Sequence, residues 1–161
     1  MLEIEQRCAR VIATSYRDDV FWRMLLDQFV GAGPFDGACL VCAKALILWA
    51  DQGTLVRLLD AKTRVTHHYG VRLGRGGVLF DWLGAHRSGA IWIRRFAKAE
   101  NIKASLAFAE GYDGNSDIPE DVWAERALAR YFAMISEAAT DSPPASRRRA
   151  EGVSHQTRGE E

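Results

Sequence analysis

Cys39-Leu40-Val41-Cys42-Ala43-Lys44-Ala45-Leu46-Ile47-Leu48-Trp49-Ala50-Asp51 is apolar at nearly every position. Set at helical spacing, Leu40, Val41, Leu46, Ile47, Leu48 and Trp49 cover every side, and a helix without a polar face belongs in the centre of a fold. Period two then takes over. Thr54 to Asp60 and Val65 to Leu73 alternate as strands, Gly74-Arg75-Gly76-Gly77 makes a tight turn, and Val78 to Trp82 returns as a partner strand. The expected class is α+β, with N-terminal helices, a buried helix packed on a small antiparallel sheet, and C-terminal helices.

Outward from this centre the signals are helical again. Leu2, Ile4, Cys8, Val11 and Ile12 form one stripe, and Asp18 can cap a second helix carrying Phe21, Met24, Leu25 and Phe29. Gly31-Ala32-Gly33-Pro34 ends it. Beyond the hairpin, Ala90 to Ile93 reads as a further strand and about 96–110 as helical. Asp117, Pro119 and Glu120 suggest a capping box for a last helix through Ile135, with Val122, Trp123, Leu128, Tyr131, Phe132 and Ile135 as its buried stripe. A single domain over 1–140 is expected, with the site-bearing core at about 35–95. Ser142-Pro143-Pro144-Ala145-Ser146-Arg147-Arg148-Arg149 opens a polar stretch, so 141–161 reads as a disordered tail.

Composition narrows the function classes. The chain has 161 residues, 48% apolar, with 21 basic and 21 acidic side chains, so no net field draws it to nucleic acid or to an anionic membrane. Three cysteines without framework spacing fit a reducing compartment. The charged start Met1-Leu2-Glu3-Ile4-Glu5-Gln6-Arg7 is no signal peptide, and no run reaches transmembrane length. A cytoplasmic protein, with non-classical delivery left open, is the expectation.

Chemistry gathers on the central stretch. A thiol at the start of a helix meets unpaired backbone N–H groups and the positive end of the macrodipole, both of which favour thiolate. The irregular lead-in Gly33-Pro34-Phe35-Asp36-Gly37-Ala38 would put Cys39 there and leave N–H groups for an oxyanion hole. Cys42, one turn later, is the rival nucleophile with less help from the helix end. A cysteine in an apolar helix is also an ordinary core residue.

Strand parity separates the two histidines. If the hairpin closes about Arg75-Gly76, Leu73 pairs with Val78 and Gly70 with Asp81. Asp81 is then the diagonal neighbour of His68, roughly 7–8 Å away at Cα, while His67 points to the other face. A one-residue bulge would reverse the choice in favour of His67. Cys39, His68 and Asp81 are thus a candidate nucleophile, base and orienting acid. No cofactor is implied. Cys39, Cys42, His67 and His68 make a poor zinc set, because adjacent strand histidines diverge. His86 and His155 have no evident partners.

At these residues the chain resembles the papain-like superfamily, particularly NlpC-like cysteine peptidases and amidases. Their nucleophile segment, Asp-Cys-Ser-Gly-Leu-Val, is similar to Asp36-Gly37-Ala38-Cys39-Leu40-Val41 with the Asp displaced and the Ser-Gly missing. Their base segment, His-Val-Gly-Ile-Tyr-Leu-Gly, is similar to His68-Tyr69-Gly70-Val71-Arg72-Leu73-Gly74, and Asp81 stands where a third polar residue follows. The resemblance spans about 35–82. It implies a papain-like thiol hydrolase or transferase (peptidase, amidase or deamidase) working through Cys39, His68 and Asp81 on a protein or peptide substrate. The alternative from another class is a small non-catalytic inhibitor or effector, of the kind phages and mobile elements encode, that binds a protein partner. Such a binder would display an apolar patch, with Trp82, Trp92 or Trp123 as candidates.

Overall fold

The computed structural model describes residues 3–29, 37–74, 77–114 and 120–140. The expected disordered tail, 141–161, lies outside the described residues. Among those described, α1 (Glu3–Ser15) buries Cys8, Val11 and Ile12 on one stripe. α2 (Asp19–Arg23) starts where the Asp18 carboxylate accepts the Val20 N–H at 2.8 Å, and it runs on as a π-helix over Met24–Phe29. α3 (Cys39–Ala50) is the apolar helix, ended by Asp51 in the left-handed region at φ 51°. Gly53 follows with φ 132°, and a Cβ there would stand 2.9 Å from a Leu73 methyl. Only glycine lets the chain turn this tightly into the first strand.

Five strands form one antiparallel sheet, β1 (Thr54–Asp60), β2 (Thr66–Leu73), β3 (Val78–Asp81), β4 (Gly84–His86) and β5 (Leu106–Glu110), in the order β4-β3-β2-β1-β5. The hairpin register matches the expected one, with Leu73 opposite Val78, Arg72 opposite Leu79 and Val71 opposite Phe80. A bulge is present, but it falls in the β1–β2 ladder, where Leu58 faces His68 and Leu59 faces Thr66. His67 is the extra residue. The β2–β3 pairing is untouched, so the parity argument survives.

Both faces of the sheet are covered. On one, Val71, Leu73, Phe80 and Trp82 join side chains of α1, α3 and α5 (Val122–Thr140) in the main core. On the other, Val56, Leu58 and Leu79 pack under Trp92 and Phe96 of α4 (Gly89–Ala99). Burying a side chain such as Phe96 contributes about 1.5–3 kcal/mol before the entropy of ordering it.

Three local expectations fail. Residues 90–93 are not a strand but the first turns of α4, capped by the Ser88 hydroxyl accepting the Ile91 N–H. The helical reading of 96–110 holds only to Ala99, since 106–110 is the edge strand β5 beside β1. The sheet therefore extends past the 35–95 core. The last helix is capped by Asp121, whose Oδ1 accepts the N–H groups of Trp123 and Ala124 at 3.0 and 2.9 Å. Asp117 lies outside the described residues. Leu128, Tyr131 and Phe132 are buried as expected, whereas Val122 and Trp123 face outward, 56% and 70% exposed.

Candidate functional site

Cys39 is the first residue of α3. The preceding Ala38 takes the N-cap position and offers no side-chain acceptor, so the first-turn N–H groups are not capped by it. Cys39 packs against Leu40, Ala43, Tyr69 and Leu55 and is 1% exposed. His68, on β2, lies beyond the paired β2–β3 stretch and turns its ring under α4, stacked on Phe96 with ring centroids 4.5 Å apart. Its Nε2 is 3.1 Å from Oδ2 of Asp81, the last residue of β3. The three sequence-derived residues thus meet at one place, with the Cys39 side chain and the Asp81 carboxylate both beside the His68 ring. All are buried, His68 completely and Asp81 to 3% exposure.

Asp81 is the hub. Oδ2 also accepts the indole N–H of Trp92 at 2.6 Å, and Oδ1 accepts the Leu83 backbone N–H at 2.8 Å. His86 Nε2 stands 2.7 Å from Oδ1. A buried carboxylate is costly unless its lone pairs are filled, and four donors fill these. Burial alone would raise the carboxyl pKa, but the hydrogen bonds from His68 and His86 and the charge on His68 outweigh it and hold Asp81 well below the ordinary carboxylate range. For His68, burial disfavours the charged ring. The Asp81 hydrogen bond, then the Cys39 side chain, overcome that and raise its pKa to about 9. At neutral pH the site favours an imidazolium beside the Asp81 carboxylate and the Cys39 side chain.

His86 and Trp92 were missed by sequence reasoning. His86, expected to be without a partner, is fully buried against Asp81. The signal was the short return at Trp82-Leu83. With Asp81 opposite Gly84 and Leu79 opposite His86, residues 79, 81, 84 and 86 share a face. Trp92 and Trp82, suggested as surface residues of a binder, belong to the core. His67 is half-buried with no hydrogen bond at Nε2 among the described residues.

The other thiols differ in kind. Cys8 and Cys42 are fully buried, and desolvation pushes both well above the usual thiol range. None of the three cysteines is in a disulfide. Among the described residues no cluster of three His, Cys, Asp or Glu side chains is arranged to hold a metal ion, and no helix is long and apolar enough to cross a membrane. Comparison with protein-family models, curated proteins and solved structures finds no match.

Proposed function

We propose that this chain is a cysteine-dependent hydrolase or transferase of papain-like design that acts on an amide or acyl bond of a protein or peptide. One observation carries the reading. His68 gives Nε2 to Asp81 at 3.1 Å and has the Cys39 side chain beside the same ring, so in this reading Nδ1 serves the thiol at the head of α3. That is the division of labour a thiol triad requires, with one nitrogen for the nucleophile and one for the orienting acid.

In this reading the Cys39 thiolate attacks the carbonyl carbon while backbone N–H groups in the first turn of α3 face the developing oxyanion. His68 gives its proton to the leaving amine as the C–N bond breaks and the thioester forms. Water, or an acceptor amine, then gives a proton to His68 as it attacks the thioester, and thiolate leaves. Asp81 keeps the ring oriented and balances its charge throughout. Since Cys39 is 1% exposed, acylation includes an opening that brings Sγ to the substrate. The test is a peptide-based thioester-forming probe. Wild-type protein should acquire one label, at Cys39, and Cys39→Ala and His68→Ala should acquire none. A folded wild-type protein that takes up no acyl group from any such probe overturns the enzyme reading.

A second reading has an observation of its own. The same burial suits a purely structural His–Asp cluster, while Leu48 of α3 and Val122, Trp123 and Met134 of α5 are each more than half exposed. Large apolar side chains at the surface favour a protein-binding role. Trp123→Ser would abolish partner binding under that reading and leave acylation unaffected under the first.

A further inference from the structure

His86 is engaged at both ring nitrogens. Nε2 faces Asp81 Oδ1 at 2.7 Å, and Nδ1 faces Nη1 of Arg95 at 3.4 Å. A guanidinium can only donate hydrogen bonds and an ionised carboxylate can only accept them. Nδ1 must therefore present a lone pair and Nε2 must carry the hydrogen. The two neighbours select one tautomer. Arg95 is itself fastened, with Nη1 donating to the Ala85 carbonyl at 3.1 Å and Nη2 to the Leu83 carbonyl at 2.9 Å. These contacts hold α4 to the β3–β4 return that carries Asp81 and His86.

We propose that Arg95 and His86 are positioning residues: Arg95 fixes the Nε2–H tautomer of His86, and His86 in turn pins Asp81 Oδ1 so that Oδ2 stays aimed at His68. The inference rests on the thiol-enzyme reading for its purpose. The carboxylate can pivot about its terminal torsion, and the Leu83 N–H alone leaves Oδ1 a single anchor. With His86 in place, each oxygen has two donors, Leu83 and His86 on Oδ1 and His68 and Trp92 on Oδ2. The other titratable groups around Asp81 are His68 from β2, with Cys39 of α3 beyond it, and Tyr16 after α1, which feels the Asp81 charge.

Long-range proton–nitrogen NMR of the imidazoles at pH 8, above the ordinary value of about 6.5, reads the tautomer directly. Wild-type protein should show a protonated Nε2 and a bare Nδ1 on His86, and Arg95→Met should give a mixture. An Nδ1–H tautomer, or a mixture in wild type, overturns the proposal. The same spectra follow His68. In His86→Phe its titration should fall toward the ordinary imidazole range, and in His86→Gln, whose amide can donate to Oδ1, it should return. A rise would mean that His86 competes for Asp81 instead of positioning it, and an unmoved titration that it does neither; both overturn the relay. Alkylation of Cys39 at neutral pH should slow at least roughly tenfold in His86→Phe, within the hundredfold that a misplaced catalytic group costs, and recover in His86→Gln. If wild-type Cys39 is inert while His68 still responds to His86, the relay stands and the thiol-enzyme reading falls. Arg95→Met keeps the test open should His86→Phe fail to fold.

Discussion

Trp92 donates its indole N–H to Asp81 Oδ2 at 2.6 Å, the same oxygen that faces His68 at 3.1 Å. Trp92 also closes the floor beneath it. A Cβ at Gly70, the residue two beyond His68, would stand 2.9 Å from the Trp92 ring and 2.8 Å from the Phe80 carbonyl. The absence of a side chain at Gly70 lets the indole approach the sheet closely enough to reach Asp81. Gly70→Ala should therefore destabilise the protein by about 1–3 kcal/mol, the usual cost of overpacking, because a backbone carbonyl cannot move aside. Urea unfolding of the variant against wild type checks this, and an unchanged midpoint would show that β3 yields freely.

Native thiol alkylation should modify Cys39 before Cys8 and Cys42. The latter two are desolvated with raised pKa values, while Cys39 neighbours an imidazole at the head of a helix. Mass spectrometry after brief iodoacetamide treatment identifies the site. His68→Ala should abolish the preference and His67→Ala should leave it, since His67 lies on the bulge and only His68 meets Asp81. First labelling at Cys42 would transfer the nucleophile role to it.

Asp81→Asn should cost both stability and turnover. The carboxylate accepts four hydrogen bonds, whereas an amide oxygen replaces only one of its two oxygens and the NH₂ group would face donors. The expected destabilisation is about 2–4 kcal/mol, from hydrogen bonds to a buried charge. Acylation should slow by more than the folded fraction lost. Wild-type acylation per folded molecule would leave Asp81 a structural role alone.

Stability should be highest in mildly acidic solution. His68 has a raised folded pKa, so its contribution is complete below about 6.5 and is lost as pH rises through about 9. Asp81 has a lowered one, so its contribution is present above about 3.9 and is lost as pH falls below that. Unfolding midpoints at pH 6 and pH 9.5 should differ in wild type and differ less in His68→Gln. An equal drop in both proteins would place the pH dependence elsewhere.

By itself the sequence determined the centre of this protein and the pairing that carries its candidate site. An apolar run such as 39–50 puts its first two turns in the core, though Leu48 in the last turn faces outward, and the fixed period of a strand makes His68 and Asp81 share a face once the β2–β3 register is set. Tertiary structure decided the rest, because those choices rest on partners distant along the chain. Residues 106–110 have no strong pattern of their own and become a strand by pairing with β1, some fifty positions earlier. The segment around Trp92 could be read as strand or helix until the Ser88 cap and the sheet face below it fixed an amphipathic helix. His86 and Trp92 reach Asp81 only because β4 folds back and α4 crosses over it. Local periodicity specifies which face a side chain occupies; only packing specifies what waits there.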